Sequence, residues 1–214
     1  MGVPQGGPLS PLLSNIMLNE LDKELENRGH LFVRYADDLV ILCKSKRSAD
    51  RTLAKIVPYI EDKLFLKVNR EKTMTANISR IKFLGYSFYV SKGEGRLRVH
   101  QKSIAKMKER IRTLTSRSNG WGYARRKEAL RQYITGWVNF FKLADMKILL
   151  LNVDKWYRRR LRMIIWKQWK RVRTRGRNLM KLGIVKYKAW EYANTRKGYW
   201  RTAKSPIFLL DFSF

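Results

Sequence analysis

Apolar residues recur along this chain in two rhythms. Up to about residue 100, helical stretches alternate with segments of strand character, and beyond it the period is helical. Ser10-Pro11 predicts a helix start, a cap residue followed by proline at the first helical position. Leu18, Leu21 and Leu25 follow at helical spacing, and Asn27-Arg28-Gly29 predicts the stop. Residues 31–35 and 39–43 predict two strands joined by Ala36-Asp37-Asp38; the second is continuously apolar and is expected to be buried on both faces. Ser48 predicts a further helix start, with Leu53, Ile56, Ile60 and Leu64 on one face and a kink at Pro58. Leu66-Lys67-Val68 suggests a short strand, and residues 78–90 and 96–100 suggest a hairpin about 91–95. Later, Ile104, Met107, Ile111 and Leu114 form a helical stripe, and Ser118-Asn119-Gly120 breaks it. Helices are expected over about 123–143 and 145–171, the latter with Leu150, Val153, Tyr157, Leu161 and Ile164 inward; residues 172–206 read as basic and irregular.

Charge sharpens this division. Of 214 residues, 47 are Lys or Arg and 17 Asp or Glu, a net charge of +30; residues 1–99 carry +6 and residues 100–214 carry +24. All seven tryptophans lie in the second part. A folded segment at +24 repels itself unless a polyanion offsets it, and basic residues interleaved with aromatics suit nucleic acid. A membrane surface is the runner-up, and the bland reading is a solvated basic face. Lys155, Arg158, Arg159 and Arg162 fall on one helical face and are the candidate phosphate contacts. Trp166 and Trp169, three residues apart, share one side of the same helix; they either stack on bases or fill the core, and the core is favoured.

Other classes are excluded. With 12% aromatic residues the chain is not disordered throughout. No apolar run approaches the roughly 18 residues of a membrane span, and residues 1–10 form a Gly/Pro loop rather than a secretory signal. The single cysteine, Cys43, suits a reducing, cytoplasmic setting. With only His30 and His100 beside it, it cannot build an ordinary zinc site.

The most informative dipeptide is Asp37-Asp38. Two adjacent carboxylates repel each other unless a cation binds them, and a hard divalent ion with oxygen ligands, such as Mg2+, would serve. A solvated hairpin turn is the equal alternative on the pair alone.

The surrounding blocks separate the two. Arg34-Tyr35-Ala36-Asp37-Asp38 resembles the YxDD hairpin of reverse transcriptases, and Gly2-Val3-Pro4-Gln5-Gly6-Gly7-Pro8-Leu9-Ser10-Pro11 resembles the PQG loop preceding it. Residues 66–73 and 83–88 resemble the blocks that follow in that family. Gly136-Trp137-Val138-Asn139-Phe140-Phe141, residues 156–170 and Arg196-Lys197-Gly198-Tyr199-Trp200-Arg201 resemble the maturase, or thumb, region of group II intron-encoded proteins. The likeness spans roughly residues 2–206, whereas 207–214 depart from it.

The resemblance implies an α+β architecture. Residues 1–99 would form the last part of a polymerase palm, an antiparallel sheet with two helices. Residues 100–171 would form a helical thumb or maturase domain, and 172–214 a basic extension. It implies RNA-directed DNA polymerisation by a two-metal Mg2+ site, with Asp37 and Asp38 as metal ligands and Lys72 near the leaving pyrophosphate. Gln5 and Gly6 would approach the dNTP and template, and Tyr35 the primer end. By residue type alone Gly6 is a turn glycine, Tyr35 a core residue and Lys72 a surface lysine. The implied partners are group II intron RNA, an RNA template with DNA primer, and dNTP. The family's earlier metal-binding Asp has no counterpart on a strand, since Glu20, Asp22, Glu24 and Glu26 all fall on or at the end of the first helix, Asp22 as helix surface. The chain therefore resembles the C-terminal half of a larger protein, inactive as a polymerase without the N-terminal half. A stand-alone RNA-binding maturase module is the alternative.

Overall fold

The computed structural model describes residues 9–208, and of Phe208 only the backbone. The protein is α+β, with helices outweighing two small antiparallel hairpins. It forms two compact units, with the division after Gly95.

In the first unit, helix α1 (Ser10–Asn27) leads into strands β1 (Leu31–Tyr35) and β2 (Asp38–Leu42), then helix α2 (Lys46–Pro58). Leu21 and Leu25, one turn apart on α1, are buried with Ile56 and Leu64; Phe32, Leu39 and Ile41 pack against them. α1 begins at Ser10 with Leu9, not Ser10, at its cap. α2 begins before Ser48, because the Ser45 hydroxyl accepts the Ser48 backbone N–H at 3.2 Å and satisfies an otherwise orphaned donor. Pro58 ends α2, and the chain widens into a π turn over Tyr59–Lys63, in which the Leu64 N–H reaches the Tyr59 carbonyl at 3.4 Å. Proline offers no N–H and its ring crowds the preceding turn, so the ladder loosens there.

Three expectations fail here for physical reasons. β2 is not buried on both faces: Leu42 is exposed, and on the same face of β1 Leu31 and Val33 are 73% and 53% exposed. Among the described residues, a helix covers only the face carrying Phe32 and Ile41. Residues 66–68 form no strand, because neither described sheet takes them in. The strand expected from residue 78 starts at Tyr86. Asn77 caps a 3-10 turn (Ile78–Arg80), and Leu84 and Gly85, both at positive φ, then reverse the chain so that Phe83 bridges Tyr86. Strands β3 (Tyr86–Ser91) and β4 (Glu94–Val99) follow. They join through Lys92-Gly93, where φ values of +52° and +82° match a type I′ turn.

The second unit is helical. α3 (Gln101–Leu114), α4 (Tyr123–Phe140) and α5 (Lys147–Gln168) bury Met107, Ile111, Leu114, Leu130, Val153 and Leu161 together. Residues 172–206 are not irregular: they form α6 (Val172–Lys181), α7 (Lys186–Ala193) and α8 (Tyr199–Thr202). Such short helices are unstable alone and persist by packing. Here Leu179 and Ala189 close on Trp166, which is 1% exposed. Gly176 of α6 lets this happen, since a Cβ there would meet the Trp190 ring at 3.3 Å. Trp169 packs on the same cluster, its ring centroid 6.0 Å from that of Trp166, so the pair is core as expected. Trp166→Ala should therefore destabilise this unit by about 3–5 kcal/mol, read as a lowered urea midpoint of the far-UV helical signal.

Candidate functional site: a carboxylate turn and a basic helical surface

The hairpin register builds the carboxylate turn. Tyr35 pairs with Asp38, which leaves Ala36 and Asp37 as a two-residue turn. Ala36 sits at φ +52°, the sign such turns demand, at a cost of roughly 1–2 kcal/mol for a residue with a Cβ. Asp37 and Asp38 are both exposed at the tip, and Tyr35 is 63% exposed on the strand beside them.

Arg34 holds the tip in place. Its Nε donates to both carboxylate oxygens of Asp22 at 2.8 and 3.0 Å, and its Nη2 to Oδ2 at 2.5 Å. Its Nη1 donates to Asn15 Oδ1 and to the Ala36 carbonyl, each at 3.0 Å. One guanidinium thus ties two points of α1 to the backbone of the turn. The hydrogen bond it donates to Asp22 raises the Arg34 pKa above its ordinary value, with burial opposing it. Asp22 is consequently engaged with Arg34 on the inner face and not an idle helix-surface acid. Sequence reasoning missed this pair, although a charged residue in the middle of an apolar strand was its visible signal.

The other expected site residues are dispersed. Lys72 is exposed, and its backbone N–H donates to Asn69 Oδ1 at 3.2 Å. Asn69 organises this loop, also accepting the Glu71 N–H at 3.1 Å and the Thr73 hydroxyl at 2.8 Å on its carbonyl. The loop is fastened by an Arg70–Glu61 ion pair and by the Thr75 hydroxyl donating to Asp50 at 2.6 Å. No hydrogen bond joins Lys72 to Asp37 or Asp38. Gln5 and Gly6 lie outside the described residues. Among those residues no group of three or more His, Cys, Asp or Glu could hold a metal ion.

On α5, the four expected phosphate contacts meet different surroundings. Lys155 and Arg158 are exposed, and Arg158 Nε pairs with Asp154 at 2.8 Å. Arg159 is half-buried: it lies 3.9 Å from the Trp200 ring centroid and donates to the Trp200 carbonyl at 2.9 and 3.2 Å. Arg162 is half-buried with an Nε that has no hydrogen-bond partner, and burial first, then the Arg158 charge, lowers its pKa. Arg126, not anticipated from sequence, is 3% exposed. It donates to the Leu114 and Ser116 carbonyls at 3.3 and 3.4 Å and to Asn119 Oδ1 at 2.7 Å, closing the C-terminal end of α3. Burial lowers its pKa. No described helix is long and apolar enough to cross a membrane.

Residues 1–88 match the reverse transcriptase (RNA-dependent DNA polymerase) family, and residues 104–183 the group II intron maturase-specific domain. The chain thus carries, in this order, a segment that matches reverse transcriptases and a segment that matches the maturase-specific domain. It is similar to Protein YkfC of Escherichia coli (strain K12), at 30% identity across 36% of this chain and 29% of that protein. The retron Mx65 reverse transcriptase of Myxococcus xanthus is 38% identical across 32% of this chain and 17% of its own length. The retron Ec86 reverse transcriptase of Escherichia coli is 25% identical across 68% and 42%. The chain thus spans less than half the length of each of these relatives.

If Arg34 holds the turn, Arg34→Ala should cost about 2 kcal/mol by leaving the Asp22 carboxylate unpaired. Asp22→Asn in the same chain should restore part of that loss. Urea unfolding of the two single variants and the double variant checks both statements.

Proposed function

We propose that this chain is the catalytic-turn and maturase portion of a group II intron reverse transcriptase, contributing two metal ligands to polymerisation and a basic surface to intron RNA. The observation that carries the polymerase half is the Asp37-Asp38 turn, pinned by Arg34, within the segment that matches reverse transcriptases. In the reaction, the primer 3′-oxygen bonds to the α-phosphorus of a dNTP, the bond to the β-phosphate oxygen breaks, and pyrophosphate leaves while the hydroxyl proton is lost. Asp37 and Asp38 suit Mg2+ in donor type, being adjacent, exposed and oxygen-only, but two carboxylates are too few for a complete site. When bound, Mg2+ would supply positive charge to the attacking and leaving oxygens. Asp37 is the more direct ligand in this reading, and Asp38 completes the pair. Tyr35, one residue from the turn and exposed, borders the primer end, and Lys72 offers a cation to the departing pyrophosphate. Gln5 and Gly6 are assigned to the nucleotide and template. The exposed apolar residues Leu31, Val33 and Leu42 of the hairpin, and separately Leu12, Leu13, Ile16 and Met17 of α1, suit cover by a further polymerase segment that brings the remaining metal ligand. Cys43, a free thiol, fits a reducing cytoplasmic setting.

For the second unit, the combination of the +24 charge of residues 100–214 and a match to the maturase-specific domain supports binding of intron RNA in aid of splicing and mobility. Lys155 and Arg158, exposed on one side of α5, supply the outermost phosphate contacts of the Lys155, Arg158, Arg159 and Arg162 face, while Arg159 and Arg162 sit deeper. The stand-alone RNA-binding module is the second reading, favoured by the absence of a third ligand among the described residues.

This chain alone should not extend a primer, and once joined to a polymerase N-terminal segment it should do so. Asp37→Ala should return that activity to background and leave intron RNA affinity unchanged; extension at the parental rate would remove Asp37 from the site. In filter binding across a salt series, Lys155→Gln with Arg158→Gln should flatten the log–log salt slope by about 1.5, at roughly 0.7–0.9 per phosphate contact.

A further inference from the structure

The second unit has a cleft of about 530 Å3 lined by Arg112, Arg117 and Arg160 together with Trp156 and Trp200. That size lies within the roughly 300–1,000 Å3 of small-ligand sites. No acidic residue lines it. Three guanidinium groups gathered without a carboxylate repel one another. The cost is visible at Arg160, whose pKa is pushed down by burial first and then by the charges of Arg112 and Arg117.

The helix that ends here would ordinarily argue against an anion, because a helix C-terminus carries partial negative charge. That charge is already neutralised. Arg160 Nε donates to the Thr115 hydroxyl at 2.6 Å and its Nη2 to the Arg112 and Thr115 carbonyls at 3.4 Å. Arg126 takes the Leu114 and Ser116 carbonyls. Arg160 is thus largely committed inward, whereas Arg112 and Arg117 are exposed and their guanidinium groups make only ring contacts, 5.7 Å from Trp156 and 5.8 Å from Tyr199. Their guanidinium forks match a phosphate in shape and charge. Trp200 is 38% exposed at the same cleft and is backed by Arg159 at 3.9 Å. An indole held by a cation on one side offers a fixed platform for a nucleobase.

We propose that this cleft binds one unpaired nucleotide of RNA, its phosphate on Arg112 and Arg117 and its base against Trp200. The inference rests on the reading of this unit as RNA-binding and adds a subsite that selects single-stranded over duplex RNA. A base inside a duplex is stacked on its neighbours and cannot reach an indole, so only the phosphate contacts would survive there.

The test measures binding of fluorescein-labelled oligouridine, and of a duplex RNA of equal length, by anisotropy over a salt series with the full chain. Trp200→Ala should weaken oligouridine binding by about 5- to 150-fold, the effect of one stacked base, and leave duplex binding unchanged; Trp200→Phe should retain most of the affinity. Arg112→Gln with Arg117→Gln should lower the oligouridine salt slope by about 1.4. Unchanged oligouridine affinity in Trp200→Ala, or an equal loss for both RNAs, overturns the subsite while the RNA-binding reading stands. Failure of the unaltered chain to bind either RNA overturns the reading itself. Should Trp200→Ala fail to fold, ultraviolet crosslinking of 4-thiouridine RNA to the unaltered chain decides: a crosslinked peptide containing Trp200 supports the subsite, and crosslinks confined to other peptides overturn it.

Discussion

Residues 100–214 carry five cations for every acid, so their guanidinium groups cannot all find carboxylates. They use backbone carbonyls and indole faces in their place. Arg126 and Arg160 close the end of α3, Arg175 donates to the Trp169 carbonyl at 2.8 Å at the end of α5, and Lys167 reaches the Arg117 carbonyl at 2.9 Å. Helix C-termini carry unsatisfied carbonyls and partial negative charge, so each cation placed there contributes a hydrogen bond and a favourable dipole term of about 0.3–1 kcal/mol. Arg159 over Trp200 and Arg175 over Trp166, at 3.9 and 4.8 Å, repeat the principle on aromatic faces. The unit folds with a high charge because part of that charge is built into its helix ends. Exposed cations that no carboxylate engages, Lys155, Arg112 and Arg117 among them, remain available to an anion.

The first unit solves a different problem with one ion pair. A hairpin turn bearing two adjacent carboxylates and an alanine at positive φ is poorly determined by its own two strands. Arg34, on the inner face, carries the rigidity of α1 to the turn through Asp22 and Asn15 and ends on the Ala36 carbonyl. The carboxylates stay exposed while the backbone beneath them is anchored. The opposite face of the hairpin, with Leu31, Val33 and Leu42, remains apolar and exposed.

Much of this was legible where local signals agreed. The hairpin of β1 and β2 follows from two apolar runs separated by a polar turn. The α3–α5 helices follow from stripes such as Met107, Ile111 and Leu114, where period and burial coincide. Residues 172–206 were illegible because their cationic positions dilute the apolar stripe. Leu179 and Ala189 matter only through Trp166, which lies on another helix. The break at Leu84-Gly85 was hidden inside a run of good strand formers, since nothing in Leu84 itself announces a positive φ.

By itself the sequence determined the likeness to reverse transcriptases and maturases, the position of the carboxylate pair at a turn and the concentration of charge in the second part, because these depend on residue identity and near-neighbour spacing. Only the tertiary structure decided which charges are spent. It assigned Asp22 to Arg34, buried Arg126 beneath the end of α3, and brought Arg112, Arg160 and Trp200 from three separate helices to one cleft. Hydrogen bonding and desolvation act through space, and they couple residues such as Arg160 and Thr115, 45 positions apart, that no local period connects.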